Sequence, residues 1–181
     1  MGGKPKKWIS GFTVIELVMA IVVMTVVSVT AVPILQNQPR TQAQYAIYKV
    51  RSDLRYAQMT AIQTQLRTRV VFNSAAESYD LEIETSPGTW VALAEPNAGQ
   101  NYSVTFPSDA DFPNVDISDV DLNNLNTVIF DSVGAPFDAN DTALTEPAYM
   151  ELNSIYRIEF QRQTGNMLIT VVGGGGGPCG G

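Results

Sequence analysis

Five aspartates, Asp109, Asp111, Asp116, Asp119 and Asp121, fall within 13 residues. A hard cation such as Ca²⁺ collects roughly six to eight oxygen ligands from groups of this kind. The spacing fits no EF-hand loop, which needs a central glycine and a closing glutamate. Two readings stay open for the run: a solvated acidic loop that keeps the chain soluble, and a calcium site. The residues around Asp138, Asn140 and Asp141 also read as loop. Glycoside hydrolysis needs only two carboxylates roughly 5–10 Å apart, but the sequence alone brings no two of them together. Other catalytic arrangements lack their parts. The chain has no histidine, no Gly-x-Ser-x-Gly, no Gly-x-x-x-x-Gly-Lys, and a single cysteine, Cys179, in a terminal glycine-rich stretch. The glycines at 173–177 precede neither a helix nor a lysine, so they make no phosphate loop and read as a flexible tail. Cys179 reads as a spare tail residue, an intermolecular disulfide partner or a lipid attachment point. The chain therefore reads as a protein without enzymatic activity and without a resident cofactor, calcium excepted.

A sixth carboxylate stands in a costlier place. Glu16 lies near the start of an otherwise uncharged apolar run, Phe12 to Val32. As a helix its 21 residues would extend about 30 Å, the hydrocarbon thickness of a bilayer. An ionised carboxylate there costs about 2.5–3.5 kcal/mol on insertion scales, so Glu16 predicts a partner. Lys4, Lys6 and Lys7 precede it with no acidic residue among them, which keeps the amino terminus cytoplasmic and sends the remainder across. A secretory signal peptide with a small-residue site at Val29-Thr30-Ala31 is one reading, against a core that is long for that purpose and contains a glutamate. A permanent anchor for a periplasmic binding module is a second, and it leaves Glu16 without a task.

The third reading gives Glu16 one. The segment Gly11-Phe-Thr-Val-Ile-Glu-Leu17 behind a short basic leader resembles the class III signal of type IV pilins and type II secretion pseudopilins. The resemblance implies that a prepilin peptidase, also the N-methyltransferase, cuts between Gly11 and Phe12 and that Phe12 becomes the methylated terminus. Glycine suits the cut because a side chain would obstruct the protease's approach to the backbone. Loss of residues 1–11 would leave 170 residues and move the net charge from −7 to −10. Glu16 occupies the family's assembly position, where it is implied to pair with the Phe12 amine of a neighbouring subunit. Pro33 falls where many members carry a helix-kinking proline.

Downstream, Ile47, Val50, Leu54, Ala57 and Ala61 recur at three and four, with Lys49, Arg51, Asp53 and Gln63 mostly off that stripe, which predicts a helix lying on a core. From Arg67 onward, short β-branched and aromatic segments alternate with Gly, Pro, Asn, Asp and Ser. Strands are predicted at 69–72, 79–84, 89–93, 102–106, 127–130, 149–152, 155–161 and 167–172, with a hairpin turn at 163–166. The run 50–72, then Val-Ile-Phe-Asp-x-x-Gly at 128–134 and Ile-Glu-Phe-x-x-x-Thr-Gly-x-x-x-Ile at 158–169, is similar to GspH/FimT-type minor pilins, with Gln58 where many of these carry arginine.

The expected fold is α+β. A long N-terminal helix has a transmembrane half at 12–35 and an amphipathic half at 36–66, packed on an antiparallel β-sheet or β-sandwich domain of about eight short strands at 67–172, before the tail at 173–181. The resemblance implies a minor subunit of a pseudopilus serving type II protein secretion, or alternatively of a type IV pilus in a surface fibre for adhesion, motility or, as the weakest of these, DNA uptake. Its implied partners are other pilin or pseudopilin subunits, the prepilin peptidase, an inner-membrane assembly platform and the lipid bilayer. The implied location is the inner membrane with the C-terminal domain periplasmic, and then the filament. Nucleic acid is not expected as a partner: against 18 acidic residues, the β region offers only Arg67, Arg69, Arg157 and Arg162.

Overall fold

A computed structural model describes residues 13–24, 38–96, 99–162 and 164–172 of the chain. The leader, Gly11, Phe12, Pro33, Gln163 and the tail with Cys179 lie outside the described residues. The chain divides into two units, Met1–Gln38 and Pro39–Gly181.

In the first unit, residues 14–24 form a helix, α1, that begins directly after Thr13. The second unit opens with α2, Gln38–Thr64. Pro39 falls in its first turn, where a missing N–H costs nothing because no intrahelical acceptor awaits it. Ala43, Ala46, Ile47, Val50, Leu54, Ala57 and Ala61 line one side of α2 and are 0–1% exposed. Small alanines at four of these places let the helix lie close to what it covers. The helix stops where Gln65 takes φ 58, and the Gln65 side-chain Nε2 donates to the Ile62 carbonyl at 2.7 Å, satisfying a carbonyl left over at the helix end.

Among the described residues ten strands follow, in two antiparallel sheets. The larger sheet has β1 (Thr68–Asn73), β2 (Ser78–Ser86), β3 (Thr89–Ala92), β4 (Ser103–Thr105), β6 (Thr127–Phe130) and β7 (Pro136–Phe137), ordered β3-β2-β1-β6-β7, with β4 also paired to β2. The smaller has β5 (Ile117–Asp121), β8 (Tyr149–Leu152), β9 (Tyr156–Phe160) and β10 (Met167–Val171), ordered β10-β9-β8-β5. Alternation sets which faces are inside: Tyr156, Ile158 and Phe160 are buried, and Arg157 and Glu159 between them are not. Residues of α2 and of both sheets share one core, in which Phe72, Tyr79, Phe106, Phe130, Met150 and Ile158 are fully buried.

The expected architecture needs correcting. In place of one long N-terminal helix with a membrane-spanning half and a sheet-packed half, the helical residues among those described fall in two stretches, 14–24 and Gln38–Thr64, the first within one unit and the second almost wholly within the other. No helix among the described residues is long and apolar enough to cross a membrane. Arg40, Lys49, Arg51, Asp53 and Arg55 make α2 suited to covering a core and not to lying in lipid. The strand count also differs. The additional strands are β5, whose Ile-Ser-Asp-Val-Asp sequence reads as acidic loop, and β7, two residues long and opened by a proline. Both lie at sheet edges, where charge and proline are tolerated.

One helix side chain ties the two sheets together. Gln58 Nε2 donates to the carbonyl of Gly134 at 2.8 Å, in the β6–β7 connection, and to that of Gly165 at 3.2 Å, in the β9–β10 turn. Both glycines have positive φ, 83° and 60°, and a Cβ on Gly165 would run into the Gly134 carbonyl oxygen and the Gln58 amide. Gly88 also has positive φ, but open space surrounds it. Gly165→Ala should therefore lower unfolding stability by about 3 kcal/mol, from left-handed strain plus overpacking, whereas Gly88→Ala should cost about 1 kcal/mol from strain alone. Urea denaturation of both variants checks this, and equal losses would show that the two turns are not packed as described.

Candidate functional site

Thr13 sits at the amino end of α1, and its Oγ1 accepts a hydrogen bond from the Glu16 N–H at 3.4 Å, the Thr13 carbonyl accepting from the same N–H at 3.1 Å. Thr-Val-Ile-Glu is a capping-box sequence, so Glu16 has a local reason to stand where it does, its negative charge near the positive end of the helix dipole. Every residue of α1 is exposed, including nine large apolar side chains from Val14 to Met24. Helices apolar on all sides are stable only when something apolar surrounds them. Among the described residues the Glu16 carboxylate has no ion pair.

In the second unit a polar cluster lies inside the core. Asp53 is 5% exposed, and its carboxylate accepts from the hydroxyls of Tyr79 at 2.5 Å and Tyr102 at 2.7 Å and from Lys49 Nζ at 3.1 Å. Tyr79 is on β2 and Tyr102 immediately precedes β4, so one helical carboxylate anchors two places on the larger sheet. Desolvation first, and the neighbouring Asp53 second, push the Tyr79 hydroxyl well above its ordinary value of 10.0, and Tyr102 is raised by burial and by its bond to Asp53.

The five aspartates expected as one loop are spread over different structures. Asp109 accepts from the Asp111 N–H at 2.9 Å, just after a short 3-10 turn at Phe106–Ser108. Asp116 shares two backbone and side-chain bonds with Asn153. Asp119 and Asp121 are on β5, where Asp119 accepts from the Tyr149 hydroxyl at 2.9 Å and Asp121 from the Asn124 N–H at 2.8 Å. Among the described residues no group of three or more acidic or cysteine side chains is placed to hold a metal ion. Asp138 is nearly fully buried: it accepts from Asn123 Nδ2 at 2.7 Å and from the N–H groups of Asn140 and Thr142, and orders the turn after β7.

Three of the four arginines of the β region, Arg67, Arg69 and Arg157, are engaged with carboxylates. Arg67 pairs with Glu84 at 3.5 Å and with Asp141, Arg69 pairs with Glu82, and Arg157 with Glu151. The Arg69 guanidinium lies 4.4 Å from the Trp90 ring centroid, on the wall of an open groove of about 380 Å³. The groove's cations are neutralised by its own carboxylates, so it presents no net positive face to a phosphate.

Set against protein-family models, curated proteins and solved structures, the chain finds no match in any of the three.

The structure places Glu16 on α1 and distributes Asp109, Asp111, Asp116, Asp119 and Asp121, while Phe12, Gly11 and Pro33 lie outside the described residues. Sequence reasoning missed Asp53 and Gln58. The signal for Asp53 was its position, three after Val50 and four before Ala57, on the buried arc of the helix. Its carboxylate leads to two predictions. Asp53→Ala, leaving two buried hydroxyls unmatched, should destabilise the protein by about 3–5 kcal/mol in urea titrations. Because folding holds the Tyr79 and Tyr102 protons, stability should be complete below about pH 10 and fall as pH rises beyond it, by about 1.4 kcal/mol per pH unit for each hydroxyl. Tyr79→Phe should remove one hydroxyl's share of that slope, and an unchanged slope would contradict the assignment.

Proposed function

We propose that this chain is the precursor of a minor subunit of a type II secretion pseudopilus, a structural protein that assembles through its amino-terminal segment. The observation that carries the reading is Glu16: a carboxylate on an exposed, all-round apolar helix, five residues beyond Gly11 in a sequence resembling the prepilin signal. An apolar helix of this kind needs lipid or the apolar helices of other subunits around it, and a carboxylate among them needs a cation. Cutting after Gly11 would create that cation as the amine of Phe12. The apolar run would hold the precursor in the inner membrane until assembly, with the β-rich unit on the periplasmic side. That unit would serve as the packing body of the subunit, helping to initiate or cap the filament.

Mass spectrometry of the protein isolated from its own cells should find an N-methylated Phe12 at the amino terminus. A chain beginning at Met1 or Val32 would overturn the proposal. Glu16→Ala should leave cleavage and insertion intact but reduce incorporation into filaments by about tenfold or more, from the loss of one charge partner in lipid.

A further inference from the structure

Opposite its buried face, α2 carries a second stripe that the described residues of the second unit leave largely exposed, with Ile62 at its end lying beside Gly134. Tyr45, Tyr48, Ser52, Arg55, Met59 and Ile62 are spaced alternately by three and four, the period of a coiled-coil seam. Tyr45 is 65% exposed, Tyr48 53%, Met59 48% and Ile62 38%. Aromatic rings occupy one end of the seam and aliphatic side chains the other, with Ser52 and Arg55 between. Exposed apolar side chains scattered singly are ordinary on a protein surface, but four of six in one helical register are not scattered.

Charge indicates what covers it. The chain as a whole is at −7, yet α2 carries Arg40, Lys49, Arg51 and Arg55 against the single, buried Asp53. Arg55 is exposed and has no ion pair among the described residues, and the neighbouring Arg51 holds a buried Nε with no hydrogen-bond partner. A second copy of α2 would bring like charges together at the middle of the seam, which is repulsive. A membrane-surface helix places its basic residues on the flanks of a broad apolar face, and here the arginine is in the centre of a narrow one.

We propose that this seam docks an amphipathic helix of a different protein, with apolar residues at three-and-four spacing and an aspartate or glutamate facing Arg55. The surface lies on α2 and stands whether or not the chain assembles through α1. The test is photocrosslinking of the full chain in its own cells, with a benzophenone amino acid replacing Met59 and, as a control, Val171, an exposed residue at the end of β10 remote from the Gly165 turn that meets α2. The Met59 probe should trap a segment of another protein whose mapped adduct sites repeat at three and four beside an acidic residue, and the Val171 probe should not. Arg55→Glu should cut that adduct about tenfold, and changing the partner's acidic residue to arginine should restore it. Adducts to lipid, to a second copy of this chain or to a non-helical segment, no adduct at all, or indifference to Arg55→Glu would each overturn the proposal. Because Arg55 is exposed, the charge-reversed chain keeps its core, and recovery by the reciprocal change separates a lost contact from a lost fold.

Discussion

Much of the second unit depends on a carboxylate kept almost out of water. Asp53 accepts from two tyrosine hydroxyls and a lysine, so its charge is matched by donors on the helix itself and on the larger sheet. Desolvated charges are tolerated only with such partners, and the partners hold only in one geometry. The apolar stripe from Ala43 to Ala61 supplies the driving force for covering the core but little sense of position along it, since alanines slide past a sheet at small cost. Asp53 supplies the register. Thr68 Oγ1 donating to the Ala57 carbonyl and the Gln58 amide bridging two turns then fix the remaining freedom of the helix.

Strong periodic patterns were legible in the sequence: Ile47 to Ala61 as a buried helical stripe, and segments such as Thr127–Phe130 and Tyr149–Leu152 as strands bounded by turn residues. What failed did so for physical reasons. β5 carries its aspartates on an edge strand, where solvent and turn donors satisfy them, so its composition imitates a loop. β7 is too short to have a period. Asp53 reads as a surface residue by type although its spacing places it inside, because sequence does not show that two tyrosines remote along the chain converge on it. Gln58 looked like a departure from a resemblance and turns out to bind two carbonyls with one amide nitrogen. The single long helix was an extension of a family pattern across residues whose local chemistry changes from uniformly apolar to charged.

The two helices therefore have opposite relations to water. α1 is apolar on all sides and carries one carboxylate near its start, whereas α2 divides its surface between a buried stripe of small residues and an outward seam interrupted by an arginine. Neither satisfies all its side chains with what the chain itself provides among the described residues. In both, the unmatched charge lies in apolar surroundings and so marks where complementary chemistry is required.

The Gln58 bridge has a mechanical consequence. Gly134 belongs to a connection of the larger sheet and Gly165 to a turn of the smaller, so a tensile load applied along α2 enters both sheets in parallel at one residue. Peeling one sheet from the other under such a load would break at least one of the two amide contacts as well as open the core that both sheets share, so the bridge adds a polar tether to that apolar one.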